Sequence, residues 1–277
     1  MDDRDQRGGY EENDFLPDRV RRDEPRQYDR DEITHRPGRG RRIARLFLWL
    51  LLTAGVLFVL NATLFRVRTV DLEGLRTIPK EEVANQADLK RSMSWLFPDV
   101  NGIRTRIERN PYLEFLSVTR HFPGRLVIHL KERAPCANVR GGGAFYVVDE
   151  KCNVLSTINA TYTNNGLPDV VGIAVRSANA GMRITAERED RIDMYEQIIE
   201  EMLLQGVVNL FSGIDLSDGQ HIYLTTFSGY TADIGQCKEL RAKLGTLRAV
   251  MNWLMENSRG GGMIDVSIPG QAVYSPQ

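Results

Sequence analysis

The sequence is short of most features that mark a catalytic protein. In 277 residues there are three cysteines and four histidines. Three thiols cannot build an all-cysteine zinc site, and no pair has CxxC spacing. No GxSxG, HExxH, SxxK or P-loop pattern occurs. His35 lies in a charged N-terminal stretch. His121 and His129 have no cysteine or carboxylate at ligand spacing, and His221 precedes an expected strand. The runs Gly141-Gly142-Gly143 and Gly260-Gly261-Gly262 lack a following helix start that would hold a phosphate, so they read as hairpin turns. Net charge is −1, which excludes a global basic field for nucleic acid. The expectation is a protein with no catalytic residues, no cofactor and no metal.

Charge is also missing locally, in an ordered way. Ile33–Arg45 contains no acid but five arginines, Arg36, Arg39, Arg41, Arg42 and Arg45. Leu46–Phe65 contains no charge at all. Twenty uncharged residues at about 1.5 Å rise each make a helix about 30 Å long, the thickness of a bilayer core. A cleaved signal peptide would be shorter, nearer the start and followed by a small-x-small exit, which Asn61–Phe65 lacks. The segment therefore reads as an uncleaved single span. The arginines before it place the N terminus in the cytoplasm, with the rest of the chain outside. Met1–Arg45 has no lysine, few apolar residues and dense mixed charge, the composition of a disordered tail.

After the span the pattern is α+β. Val67–Leu72 alternates as a strand. Thr77-Ile78-Pro79 followed by Glu81 and Glu82 reads as a helix start, with the helix running to Leu89. Trp95-Leu96-Phe97 is an apolar patch. A second helix covers Val100–Arg109, then strands Leu113–His121 and Arg125–Lys131 flank the turn Phe122-Pro123-Gly124. The order is β-α-α-β-β. Beyond Ala134-Pro135 the strands expected are Ala144–Val148, Val154–Ile158, Leu167–Val171, Ile214–Leu216, Ile222–Thr226, Tyr230–Ile234, Met263–Ile268 and Gln271–Tyr274. Amphipathic helices are expected over Glu187–Gln205 and Lys238–Asn257. The domains expected are a tail 1–45, a membrane helix 46–65, a β-α-α-β-β domain 66–133, and a mainly β domain 134–277 with two helices. Cys136 and Cys152 flank an expected hairpin and are a candidate disulfide. The competing reading is a pair of buried thiols.

The run Arg109-Asn110-Pro111-Tyr112-Leu113, continuing through Val118, Arg120, Phe122-Pro123, Leu126-Val127-Ile128 and Glu132-Arg133-Ala134-Pro135, resembles the signature of the FtsQ/DivIB family of bacterial cell-division proteins. Val67–Leu75, Ala144–Glu150, Ile234-Gly235 with Leu240, Lys243 and Leu244, and Ile264-Asp265-Val266 resemble further family segments. Ser267 stands where the family's closing arginine is usual, and Cys152 near a usual glycine. The resemblance implies a POTRA domain at about Val67–Arg133 and a β domain after it. It also implies a non-catalytic divisome scaffold. Its partners would be FtsB/DivIC-like and FtsL-like single-pass coiled-coil proteins, and through them the septal peptidoglycan synthesis machinery. An extracytoplasmic envelope enzyme or a POTRA-type assembly chaperone is the alternative. The first would need a nucleophile or metal cluster, the second repeated POTRA units and a barrel. The closing segments were the natural place to look for a binding edge. Met263, Ile264, Val266, Ile268, Gln271, Ala272, Val273 and Tyr274 are the expected partner-binding residues, with Tyr274 as the main anchor.

Overall fold

The computed structural model describes residues 39–63, 66–89, 93–160, 163, 165–257 and 259–276. The expected tail, apart from its last residues from Arg39 on, lies outside them. Helix α1, Arg39–Thr63, takes in Arg39, Arg41, Arg42 and Arg45 as well as most of the apolar run itself; Arg36 lies outside the described residues. Its window Arg42–Val59 has a mean hydropathy of 1.9 and no part buried, so the helix is long and apolar enough to cross a membrane.

The first lobe after α1 has the anticipated order: β1 Thr69–Glu73, α2 Lys80–Gln86, α3 Val100–Ile107, β2 Leu113–His121 and β3 Arg125–Glu132. β3 lies in the middle, parallel to β1 and antiparallel to β2. Leu72, Ile128, Leu130, Leu113 and Phe115 pack under Val83, Ile103 and Ile107 of the helices. Helix α2 is shorter than the sequence suggests. Thr77 is not its cap, and Pro79 stands at the N-cap position without a side-chain bond. The Thr77 N–H donates instead to Glu132. Helix α3 is capped as its sequence allows, the Asp99 carboxylate accepting from the Gly102 N–H at 2.9 Å. Gly74 turns the chain between β1 and α2 at φ +94, where a Cβ would collide with the Leu130 carbonyl.

The second lobe is built on a nine-stranded mixed sheet in the order β14-β13-β12-β11-β10-β7-β4-β5-β6. Its strands are β4 Ala137–Gly141, β5 Ala144–Val148, β6 Val154–Ile158, β7 Asp169–Val171, β10 Phe211–Asp215, β11 Tyr223–Thr226, β12 Tyr230–Asp233, β13 Gly262–Asp265 and β14 Val273–Pro276. β8 Val175–Ser177 and β9 Thr185–Ala186 form a separate ribbon. Helices α4 Glu189–Leu204 and α5 Leu240–Glu256 lay Ile192, Tyr195, Ile198, Ile199, Leu244, Leu247 and Leu254 on one face of the sheet. There they bury Val139, Val170, Ile214, Leu224, Ala232 and Ile264, one from each of six neighbouring strands. The first glycine run is the hairpin turn of β4 and β5, with Gly142 at φ +58 and Gly143 at φ +82. The second is not a hairpin turn. It links α5 to β13, and Gly262 opens that strand.

Candidate partner-binding edge

β14 lies at one end of the nine-stranded sheet, paired antiparallel to β13 on one side. β13 is paired on both sides, parallel to β12 and antiparallel to β14. Backbone groups open to an added strand at this end are therefore confined to Val273–Pro276. Pro276 has no N–H and closes the ladder. Ile264 and Val266 are buried and belong to the core, which removes them from the surface expected to touch a partner. Met263, Ile268 and Val273 are exposed, Val273 at 65%. Gln271 and Ala272 are exposed in the turn before β14.

Tyr274 points the other way from the role expected of it. Its ring packs edge-on against Tyr230 at 6.5 Å between centroids. Its hydroxyl donates to the Gly260 carbonyl at 2.9 Å and lies 3.3 Å from that of Gly261. Diagonally across on β13, a Cβ on Gly262 would lie 2.8 Å from the tyrosine ring. The bare glycine leaves the space that the ring fills, so Tyr274 pins β14 to its own lobe. The large apolar side chain left exposed on this strand is Val273.

A second constellation, at the junction of the two lobes, explains much of the signature around residue 132. The Glu132 carboxylate accepts from the backbone N–H groups of Arg76, Thr77 and Ile78 at 2.8, 2.9 and 3.4 Å and so holds the β1–α2 connection. Burial works against its charge, but these N–H bonds win, and its pKa lies below the ordinary value. Arg133 turns into the second lobe. Its guanidinium Nε is 3.5 Å from Asp149, and Nη1 reaches the carbonyls of Pro111 and Gly181. Asp149 is buried. Its carboxylate accepts from Lys151 N–H, Asn153 N–H and the Asn153 amide, and its carbonyl accepts from the Tyr195 hydroxyl. The charged dipeptide before a proline was the available signal for this junction.

Both Cys136 and Cys152 are buried free thiols packed in the second lobe's core. Burial first, then the Glu150 and Asp149 charges, pushes the Cys136 thiol up to about 12. Burial also takes Cys152 to about 12, against the opposing pull of Arg183. At pH 8 about one molecule in ten thousand then carries either thiolate. Iodoacetamide is expected to modify the half-buried Cys237 first in the native chain, and the other two only on unfolding. Rapid native labelling of all three would overturn this. Denaturing the oxidised protein without reductant separates the two readings of the pair: three thiols for the free form, one for a Cys136–Cys152 bridge.

His221 lies beside Asp233, Nδ1 to Oδ2 at 2.9 Å. The hydrogen bond to that carboxylate, then its charge, raises the His221 pKa above 6.5. The stabilisation is complete below about pH 6.5 and fades as pH rises through the folded value. It is small, because the imidazole faces water. Lys243 is buried, and its ammonium donates to the carbonyls of Ile234 and Gln236 at 2.9 Å each. That satisfies the charge and ties the start of α5 to the end of β12. Among the described residues no group of three or more His, Cys, Asp or Glu could hold a metal ion.

The POTRA domain, FtsQ-type, matches residues 65–133. The cell division protein DivIB of Clostridium botulinum (strain Hall) is 22% identical over 245 residues, which are 88% of this chain and 94% of that protein. The cell division protein FtsQ of Geobacter sp. (strain M21) is 34% identical over 93 residues, 34% of each chain. The chain is similar to the FtsQ/DivIB cell-division proteins. The solved major extracytoplasmic domain of DivIB from Geobacillus stearothermophilus aligns with 46% of this chain and 98% of its own length, at 15% identity and a TM-score of 0.31. The match to the FtsQ-type POTRA domain covers the first lobe, β1 to β3, and the relatives' names support a role in cell division. The apolar helix α1 ahead of it fits a single-pass membrane protein.

Proposed function

We propose that this FtsQ/DivIB homologue is a non-catalytic scaffold of the divisome. The tail 1–45 stays in the cytoplasm, residues 46–65 span the membrane, and the POTRA domain 66–133 and β domain 134–277 work outside it at the division septum. The scaffold binds FtsB/DivIC-like and FtsL-like single-pass proteins and helps localise and regulate septal peptidoglycan synthesis. The observation that carries this reading is the open edge at β14. A main-chain edge offers hydrogen-bonding groups to another extended strand without needing a pocket. A partner strand along Val273–Pro276 would extend the sheet.

Protease added outside intact cells or spheroplasts tests the arrangement. Loss of residues 66–277 with protection of the first 45 is the expected result. A mature chain lacking residues 1–62, or a protected second lobe, would overturn it. Affinity capture of the full chain from its own membranes is expected to bring down the two coiled-coil partners together. Their absence from the captured material would overturn the scaffold reading.

A further inference from the structure

The POTRA domain carries an exposed aromatic cluster that the β14 edge does not use. Phe97 and Phe122 are 75% and 73% exposed. Trp95 stands edge-on to Phe122 at 5.8 Å, and its indole N–H donates to the Arg125 carbonyl at 3.2 Å. The rings come from two segments, the loop before α3 and the β2–β3 turn. Backbone contacts hold both segments to the residues that follow α1. Arg66 bridges Ser94, Val67 N–H donates to the Met93 carbonyl, and Arg68 N–H donates to that of Gly124. The Arg120 guanidinium also donates to the Leu96 carbonyl at 2.7 Å.

Among the described residues the charge around the rings is mainly basic. Arg66, Arg68, Arg120 and Arg125 are all exposed. Of the nearby carboxylates, Asp71 pairs with Arg125 and Asp99 is taken up capping α3. Exposed aromatic rings interleaved with arginines are the composition of a membrane–water interface, where rings sit at headgroup level and guanidinium groups reach phosphate. The tether to α1 is short. Helix α1 ends at Thr63 and Arg66 is already bonded into the cluster. Three residues span at most about 11 Å.

We propose that this surface docks on the headgroup layer of the membrane that holds α1. Arg66, Arg68 and Arg120 meet anionic phospholipid, and Phe97 and Phe122 enter the interface. The inference rests on α1 spanning the membrane, as proposed above. Docking gives the POTRA domain a second attachment besides its tether and so restricts how it swings about the end of the helix.

The test uses the full chain in nanodiscs of phosphatidylcholine alone or mixed with phosphatidylglycerol. One variant keeps Trp95 as its single tryptophan (Trp49→Phe with Trp253→Phe). A second keeps Trp49 (Trp95→Phe with Trp253→Phe). Lipids spin-labelled near the headgroup and a water-soluble quencher are compared. Trp95 is expected to be quenched by the shallow lipid label and shielded several-fold from the soluble quencher. Both effects should be stronger with phosphatidylglycerol and should be lost on adding Phe97→Asp and Phe122→Asp. Trp49, four residues into the span, should be quenched by labels in the outer part of the acyl chains and shielded from the soluble quencher. If Trp49 is not, the spanning assignment of α1 fails. If Trp49 is but Trp95 remains open to the soluble quencher in both lipids, docking fails and the cluster faces a protein or water.

Discussion

Deleting residues 271–277 is expected to abolish binding of the FtsB/DivIC-like partner by the full chain in detergent or nanodiscs. The deletion removes β14, and with it the open edge at this end of the sheet. Because it also removes Tyr274, which packs on Tyr230 and closes over the glycine run, the truncated lobe must be shown to remain folded. Two point variants divide these effects. Val273 is largely exposed on β14, so Val273→Asp sets a charge on the strand the partner would meet. A ten- to hundredfold loss of affinity is expected, about 1.4–3 kcal/mol, with stability within about 0.5 kcal/mol of the parent. Tyr274→Ala empties space inside the lobe and should lower stability by about 2 kcal/mol, a partly buried ring losing less than a full core aromatic. Isothermal titration for binding and urea unfolding for stability read the two axes. Unchanged affinity in the folded truncation, or in Val273→Asp, would remove β14 as the binding edge.

The largest stability effect is expected at Asp149. Asp149→Ala leaves the Lys151 and Asn153 N–H groups without their acceptor in a part-buried turn and deprives Arg133 of its nearest anion. The turn also carries Cys152 at φ +57, a left-handed conformation that the Asp149 carboxylate helps to hold. Orphaning part-buried donors and one member of a buried ion pair together is expected to cost about 3 kcal/mol. Asp149→Asn keeps an acceptor oxygen and should lose roughly half of that. Arg133→Met should lose less still, since the Arg133 Nε already has no hydrogen-bond partner and the long apolar stem is retained. Urea midpoints at constant slope measure the series. An order with Arg133→Met as the worst variant would place the strength of the junction in the arginine instead.

Much of this architecture was legible in the residues, and the gaps have physical causes. The apolar run and its arginines, the β-α-α-β-β order and the two long amphipathic helices all follow from periodicity, and all are observed. Strand β4 was not expected because its outward positions are Asn138 and Arg140. Asn138 is nevertheless buried, its amide satisfied by Asn165, Asp169 and the Leu167 carbonyl, a long-range arrangement with no local signature. The edge position of the last strand was anticipated. The inward turn of Tyr274 was not, since it depends on Gly262, a diagonal neighbour on β13, leaving room for the ring. Likewise the hydroxyl of Thr77 looked like a helix cap until Glu132, 55 residues away, claimed the neighbouring N–H groups.

The nine-stranded sheet also has a seam. β4-β5-β6 and β10-β11-β12-β13-β14 meet only through β7, whose three residues pair with three of β10 and two of β4. A backbone ladder this narrow carries little load by itself. What joins the halves is the apolar layer beneath α4 and α5, a single cluster that runs from Val139 and Val148 to Leu224 and Ile264. A pull applied at β14 would therefore reach the turn at Asp149 through packed side chains rather than along hydrogen-bonded strands. The stiffness of the path between the partner edge and the POTRA junction is set by how tightly those helices are seated.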